Sequence, residues 1–153
     1  MKSENINKKI NVLYVIPRYE TYGMEGHYVM PMGILYVSAY VKRSGVANVY
    51  TLNLNHIVGD EYDILQSYII DNNVDFVGIG GLSGEYSDIA RIVSFVHDID
   101  NCIIIQVGGG IMTADPEVTM QAMPNVDIGI IGEGEQTSVD LIKAITQKQN
   151  IAS

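Results

Sequence analysis

The chain has 153 residues, of which 47% are hydrophobic and 18% are charged, as expected for one soluble globular domain. Nine basic residues against eighteen acidic ones give a net charge of −9, which disfavours a nucleic-acid partner because phosphate binding needs clustered Lys and Arg. The single cysteine, Cys102, excludes an internal disulfide and a multi-cysteine zinc or iron–sulfur site within this chain.

Apolar runs alternate with amphipathic stretches five times along the chain. The apolar runs predict buried β-strands over residues 10–16, 48–54, 74–82, 102–110 and 126–135, the last of which includes its exit loop. The amphipathic stretches predict helices over residues 32–45, 60–73, 85–100, 115–123 and 137–147. The fourth helix has the clearest start, with Asp115 as N-cap and Pro116 at the first helical position.

Five βα units with near-continuous hydrophobic strands predict a parallel sheet covered on both faces. The fold class is therefore α/β, a flavodoxin-like (Rossmann-like) three-layer sandwich with a five-stranded parallel sheet in the order 2-1-3-4-5. In this arrangement ligands bind beyond the carboxyl ends of the strands, near the switch between strands 1 and 3. The first connection, residues 17–31, is longer than the usual βα loop, and loops of this length are usually functional or disordered.

Glycines are concentrated where the third, fourth and fifth predicted strands end. Glycine also provides tight turns in any α/β protein, but one glycine per loop would satisfy that need. Three neighbouring loops of this kind indicate a flat surface, free of side chains, that accommodates a broad ligand. The glycines are Gly78, Gly80, Gly81 and Gly84 after strand 3, Gly108, Gly109 and Gly110 after strand 4, and Gly129, Gly132 and Gly134 after strand 5.

Common nucleotide motifs do not explain these glycines. The stretch GIGGLSG, residues 78–84, superficially suggests a dinucleotide fingerprint, but it follows the third strand and the next strand ends in glycine rather than an acidic residue. A phosphate-binding loop of the G-x-x-x-x-G-K-[ST] kind is absent. The residues after strand 1, PRYE, lack the acidic cluster of a phosphorylated receiver domain.

Three stretches carry a resemblance to a known family, and together they extend over most of the chain. Residues 31–45, PMGILYVSAYVKRSG, resemble the pattern P-x-G-[IL]-x-Y-[LI]-A-x-Y-[LV]-[KR]-x-x-G. Residues 107–117, VGGGIMTADPE, resemble V-G-G-x-x-x-T-x-x-P-E, and residues 126–137, VDIGIIGEGEQT, resemble D-x-x-x-x-G-E-G-E-x-T. The chain thus resembles the cobalamin-binding domain that precedes the catalytic barrel in cobalamin-dependent radical S-adenosylmethionine enzymes.

The resemblance implies that cobalamin rests with its corrin ring on the exits of strands 3, 4 and 5, while its dimethylbenzimidazole nucleotide tail passes down into the domain. Ser83 and Thr113 would supply hydroxyl hydrogen bonds to the tail or to corrin amides. Glu133 and Glu135 would accept amide N–H groups or, equally, would interact with the dipole of the last helix. The full set of implied cofactor-binding residues is Tyr22, Asn55, Gly80, Gly81, Leu82, Ser83, Gly108, Gly109, Gly110, Thr113, Gly132, Glu133, Gly134 and Glu135.

Two departures from the pattern of other cobalamin modules affect the expected ligands. Many modules carry D-x-H-x-x-G, in which the His binds cobalt and the Asp orients it. Here His56 and Gly59 keep that spacing and make His56 a candidate cobalt ligand, but Leu54 occupies the Asp position. Gly80 lies where other modules often have Ser, so a hydroxyl contact to the tail is lost unless Ser83 replaces it.

Aromatic residues in the long first loop are a further candidate part of the site. They would cover the corrin or donate hydrogen bonds to it, or would pack against a partner domain. These residues are Tyr19, Tyr22, His27 and Tyr28.

A radical S-adenosylmethionine reaction needs a [4Fe–4S] cluster held by three cysteines, which this chain does not have. The resemblance therefore implies that S-adenosylmethionine and the cluster are bound only by a C-terminal catalytic domain of the same polypeptide, a methyltransferase or a cyclase. We expect an N-terminal tail over residues 1–9, the cobalamin-binding domain over 10–147 and the start of a linker over 148–153. The N-terminus lacks the apolar core of a signal peptide and no apolar run is long enough to span a membrane, so we expect a cytoplasmic protein.

The sequence leaves two alternative functions open. A free-standing flavodoxin-like domain would bind FMN or another nucleotide, but its phosphate-cradling loop after strand 1 would be rich in Ser and Thr, and here only Thr21 is present. A degenerate domain would have lost the cofactor and would act only as a docking surface, an interpretation that Leu54 and Gly80 favour and the glycine-rich exits disfavour.

Overall fold

The computed structural model describes residues 9–19 and 30–148. Within this part of the chain, strands and helices alternate as the sequence predicts. The strands are β1 (Asn11–Ile16), β2 (Asn48–Asn53), β3 (Phe76–Gly80), β4 (Ile104–Gly108) and β5 (Ile128–Gly129). The helices are α1 (Met32–Ser44), α2 (Glu61–Asp71), α3 (Tyr86–Ile99), α4 (Gly110–Ala114), α5 (Pro116–Ala122) and α6 (Glu135–Thr146).

The five strands form one parallel sheet in the order β2-β1-β3-β4-β5, so the predicted flavodoxin-like fold is confirmed. Successive side chains of a strand point to opposite faces of the sheet. In β1, Val12, Tyr14 and Ile16 pack in a cluster with residues of α1 and α6, whereas Leu13 and Val15 pack with residues of α2 and α3. Helices therefore cover both faces, which is why β1 is buried along nearly its whole length.

Local sequence signals account for several helix ends. Asp60 caps α2 by accepting hydrogen bonds from the backbone N–H groups of Tyr62 and Asp63. Asp115 is the N-cap of α5, with Pro116 at the first helical position, as the sequence predicts. Helix α1 ends at Gly45, whose φ of 72° is a left-handed conformation that glycine adopts without strain.

The predicted and observed elements differ at the carboxyl ends of β4 and β5. Strand β4 ends at Gly108 and the chain turns at once into the short helix α4, whose first turn is closed by a hydrogen bond from Thr113 N–H to the Gly109 carbonyl. Strand β5 has only two residues; just before it, the Asp127 carboxylate accepts the Ile105 N–H (2.8 Å). Helix α6 begins at Glu135, two residues earlier than expected.

No helix in the part of the chain that the structure describes combines the length and the hydropathy that crossing a bilayer requires. Residues 20–29 lie outside the described ranges, and the predicted site residues Tyr22, His27 and Tyr28 lie there with them.

Candidate functional site

A pocket of about 860 Å³ opens at the carboxyl edge of β3, β4 and β5. Its mouth is formed by the exits of these strands, and one wall is formed by Gly33, Ile34 and Val37 of α1. The pocket extends beneath the mouth to Tyr14 and Gln106, which belong to the middle of β1 and β4. Predicted site residues that line it are Gly80, Gly81, Leu82, Gly108, Gly109, Gly110, Gly132, Glu133, Gly134 and Glu135.

The strand register gives this pocket three levels on the sheet face that α1 and α6 cover. At the mouth, Gly80 is paired with Gly108. Two residues earlier, about 7 Å deeper, a row runs from Tyr14 through Gly78 to Gln106. The next row down is apolar and includes Val12 and Phe76, both fully buried. The pocket is therefore open and side-chain-free at the top, polar in the middle and closed by apolar packing below.

Packing within the protein does not require glycine at positions 80 and 108. A Cβ at Gly80 would lie 3.7 Å from the Gly108 carbonyl oxygen, and a Cβ at Gly108 would lie 3.7 Å from Ile130, both ordinary van der Waals distances. Because alanine would fit the protein at both positions, the missing side chains leave space that belongs to the pocket. This space is what a bound ligand would occupy.

Packing requires glycine at position 109, whereas at positions 81 and 110 an added Cβ would displace the ends of neighbouring side chains. Gly109 has a φ of +85°, and a Cβ there would lie 2.8 Å from the Gly81 carbonyl oxygen. A Cβ at Gly110 would lie 2.8 Å from Cδ2 of Leu82, and one at Gly81 would meet the Glu85 carboxylate. These glycines shape the mouth by bringing the β3 and β4 exits together.

Some glycines of the predicted ligand surface do not line the pocket. Gly78 lies inside β3, where a Cβ would be 2.5 Å from Cε1 of Tyr14, so this glycine accommodates the tyrosine ring. Gly129 likewise leaves room for the side chain of Met112, whose Sδ would be 2.6 Å from an added Cβ. Gly84 faces open space outside the pocket. The sequence pattern overstated the ligand surface, because it could not separate strand interiors from strand exits.

A buried polar group at the middle level was not predicted from the sequence. Tyr14 is 1% exposed, and among the described residues its hydroxyl has no hydrogen bond of ordinary geometry, although the Ser138 hydroxyl lies near it. Burial raises the pKa of Tyr14 to about 12, an effect that the nearby Ser138 hydroxyl partly offsets. The Ser138 hydroxyl also lies 3.4 Å from Oε1 of Gln106, and both residues are buried. Gln106 is the one polar side chain in the apolar run of β4. This exception is the sequence signal that could have indicated a polar group inside the pocket.

The remaining predicted site residues lie outside the pocket lining. The Thr113 hydroxyl accepts a hydrogen bond from the Gly132 N–H (3.1 Å) and so fixes the β5 exit, while Ser83 is exposed in a 3-10 turn. Asn55 joins the exits of β2 and β1: its Nδ2 donates to the Pro17 carbonyl (2.7 Å) and its Oδ1 accepts from the Tyr19 N–H (3.0 Å). His56, the next residue, is exposed.

Two arginines stabilise the turn after β2, which carries Asn55 and His56. The Arg18 guanidinium donates to the carbonyl oxygens of Leu54 (3.2 Å) and Ile57 (2.8 Å). Arg91 of α3 pairs with the carboxylates of Glu61 and Asp88, which are 5% and 2% exposed. This network positions the turn that carries Asn55 and His56 without reaching the pocket.

Comparison with known proteins identifies the family. Residues 25–142 match the B12 binding domain family. The chain belongs to the B12-binding domain family. The matched region includes the pocket mouth, α1 and most of α6, so the B12-binding domain is the unit that carries this site.

Relatives of this B12-binding domain are longer proteins. An uncharacterised methyltransferase of Pyrococcus horikoshii is 24% identical over 147 residues, which cover 94% of this chain and 31% of that protein. The radical S-adenosylmethionine methyltransferase TsrM of Kitasatospora setae, solved with cobalamin and a [4Fe–4S] cluster bound, has the same fold, with a TM-score of 0.77 and 17% identity over 94% of this chain and 26% of TsrM.

A second solved structure of this fold is the cobalamin-dependent S-adenosylmethionine radical enzyme OxsB, with aqua-cobalamin and S-adenosylmethionine bound. Its TM-score is 0.68 and its identity 22%, over 94% of this chain and 20% of OxsB. At these identities the two solved structures establish the shared fold.

Proposed function

We propose that this chain is the cobalamin-binding module of a larger radical S-adenosylmethionine enzyme, of the methyltransferase or cyclase type. The observation that carries the proposal is the pocket at the carboxyl edge of the sheet. Its mouth lacks side chains at Gly80 and Gly108 although the protein itself leaves room for a Cβ at both. A flat ring with an attached tail fits a bare mouth above a deep cleft.

The mouth would hold the corrin ring. The exits of β3, β4 and β5 offer Gly81, Gly109 and Gly132 as backbone surface, and the exposed side chains of Leu82 and Ile131 flank them. Backbone amides and the carboxylates of Glu133 and Glu135 would hydrogen-bond the amide groups at the corrin rim. The predicted contacts of Ser83, Thr113, Asn55 and Tyr22 stay part of this proposal.

The cleft below the mouth would hold the nucleotide tail. Ile34, Val37 and Ile130 supply apolar walls, and the gap between Gly80 and Gly108 is the entrance. A planar base between apolar side chains is shielded from water, which is how this chain would orient the cofactor and restrict access to it. When bound, the cobalt would supply methyl-carrier or redox chemistry.

The same polypeptide would supply the rest of the enzyme. We propose that residues 10–147 form the cobalamin module, that residues 148–153 begin a linker, and that a C-terminal domain binds S-adenosylmethionine and the [4Fe–4S] cluster. Cys102 is exposed and precedes β4, at the sheet edge opposite the pocket, so it is not placed to hold a cluster beside the corrin. The relatives support this assignment because each is at least three times as long as the matched region, which covers 20–31% of them.

A titration of the purified chain with hydroxocobalamin, followed by desalting and absorption spectroscopy, tests the proposal. We expect the wild-type chain to retain the corrin spectrum and Gly108→Leu to lose it, because leucine would fill the entrance to the cleft. Gly84→Leu is the matched control, since a side chain there meets open space outside the pocket. Absence of a retained corrin in the wild type, or equal retention in Gly108→Leu, would contradict the proposal.

A further inference from the structure

The middle level of the pocket has a polar character that the apolar walls do not share. Tyr14 and Gln106 line the pocket at this level, and Ser138, which does not line it, contacts both; we call the three residues the pocket floor. All three are buried, with exposed fractions of 1%, 5% and 0%. The row beneath the floor is apolar and the walls above it are Ile34, Val37 and Ile130, so the polar atoms are confined to one depth.

The polar side-chain atoms of the pocket floor do not make all the hydrogen bonds they could within the described part of the chain. Buried hydroxyl groups in folded proteins nearly always have a hydrogen-bond partner, and one without a partner destabilises the fold. The Tyr14 hydroxyl has no hydrogen bond of ordinary geometry among the described residues, where the Ser138 hydroxyl lies close enough to affect its pKa. The contact between Ser138 Oγ and Gln106 Oε1, at 3.4 Å, is long for a hydrogen bond between these groups. Tyr14 and Gln106 therefore keep hydrogen-bonding capacity for a group that enters from above.

In the proposed binding mode, the part of a corrinoid that would reach this depth is the far edge of its lower base. The base is joined to the ribose through its five-membered ring, so its six-membered ring lies furthest from the corrin. In cobalamin that ring is a benzene ring with two methyl groups, which can neither donate nor accept. In a purine the same ring has nitrogen acceptors, and in adenine it also has an amino group.

We propose that the pocket floor selects a corrinoid with a purine lower base over cobalamin, through hydrogen bonds from the Tyr14 hydroxyl and the Gln106 carboxamide to the six-membered ring. This inference rests on the proposed function, because it takes the pocket to be the site of the tail. Dimethylbenzimidazole at the floor would leave the buried Tyr14 hydroxyl with only its contact to Ser138, whereas a purine would add a hydrogen bond. The floor thereby acts as the specificity determinant of the module.

The test compares the dissociation constants of three corrinoids: cobalamin, its analogue with adenine as the lower base, and cobinamide, which has no base. Wild-type protein is expected to bind the adenine analogue roughly tenfold more tightly than cobalamin, the effect of one satisfied buried hydroxyl. In Tyr14→Phe this preference is expected to disappear, with cobinamide affinity unchanged. Tyr50→Phe is the matched control, because Tyr50 of β2 packs against the other face of the sheet.

The outcomes separate this inference from the proposed function. Equal or tighter binding of cobalamin by the wild type, or a preference that is undiminished in Tyr14→Phe, would overturn the selection of a purine by the floor while leaving corrinoid binding intact. Equal affinities of cobinamide and both complete corrinoids would overturn it too, because the tail would then lie outside the pocket. If none of the three bound, the proposed function would fail together with the inference.

Discussion

The backbone of Gly109 lies directly against the backbone of Gly81, so that a Cβ at position 109 would stand 2.8 Å from the Gly81 carbonyl oxygen and 3.0 Å from its nitrogen. The same carbonyl accepts the Ile111 N–H at 3.0 Å, and the Gly81 N–H donates to the Gly108 carbonyl at 3.3 Å. These contacts join the exits of β3 and β4 directly below the pocket mouth. The rigidity of the mouth thus depends on two glycines from different loops.

Substitution of Gly109 by alanine is expected to lower the free energy of unfolding by about 2–4 kcal/mol, because it adds left-handed strain and a steric conflict with the Gly81 backbone. Urea unfolding measures this loss. Gly132→Ala is the control: Gly132 also has a positive φ of 75°, but an added Cβ meets nothing within 4 Å, so only about 1–2 kcal/mol should be lost. Equal losses in the two variants would contradict the backbone contact.

Substitution of Gly80 by valine is expected to weaken cobalamin binding by at least about tenfold, since the side chain would narrow the cleft between Ile34 and Gly108. Binding of cobinamide should be unaffected, because it has no tail to enter the cleft. Equilibrium dialysis with both corrinoids measures the difference. An equal effect on the two would show that the Gly80 gap does not admit the tail.

The buried Tyr14 hydroxyl predicts a specific alkaline sensitivity. Its pKa is raised from an ordinary 10 to about 12, so the folded state holds the proton more tightly than the unfolded state. This contribution to stability is fully present below pH 10 and is lost as pH rises from 10 through 12, by about 3 kcal/mol in total. Tyr14→Phe should lack this part of the decline in urea unfolding free energy, whereas Tyr50→Phe should retain it. Parallel declines in all three proteins would refute the assignment.

Replacement of Arg91 by methionine is expected to destabilise the fold by about 2–4 kcal/mol, because it removes a cation that pairs with the buried carboxylates of Glu61 and Asp88. Lys143→Met is the surface control. Its ammonium lies 3.7 Å from the Asp140 carboxylate, but both side chains are about half exposed or more, and such pairs contribute less than about 1 kcal/mol. Thermal unfolding of both variants tests the ranking, which similar losses would contradict.

Replacement of His56 by alanine tests whether this residue binds cobalt. His56 is exposed after β2, which lies two strand spacings, about 10 Å, from β3, and it does not line the pocket. We therefore expect the absorption spectrum and the affinity of bound cobalamin to be unchanged in His56→Ala. A shift of the corrin bands in the variant would instead identify the imidazole as a ligand.

Short-range patterns predicted most of the secondary structure. The apolar run of β1, the Asp115–Pro116 start of α5 and the Gly45 end of α1 all depend on the residues within a few positions, so the sequence contains the whole signal. Strand β5 was predicted too long, and helix α4 was not predicted at all. Both elements make or adjoin contacts with distant residues, such as that of the Asp127 carboxylate with the Ile105 N–H.

The candidate site was predicted in part. The strand exits that form the mouth were found because the carboxyl ends of parallel strands must lie at one edge, whatever the details of packing. The sequence did not distinguish glycines that leave space for a ligand from glycines that the fold requires, because Gly80 and Gly109 both simply follow or end an apolar strand. Only the backbone distances show that one leaves space for a ligand and the other is required by the chain itself.

The sequence by itself determined the alternation of strands and helices, the parallel sheet and the edge at which a ligand binds, since these follow from hydrophobic periodicity and from the handedness of βαβ connections. The tertiary structure alone decided which residues meet inside the pocket. Tyr14, Gln106 and Ser138 are separated by long stretches of chain and become neighbours only because the strand register sets β1 and β4 at one level and α6 packs across them.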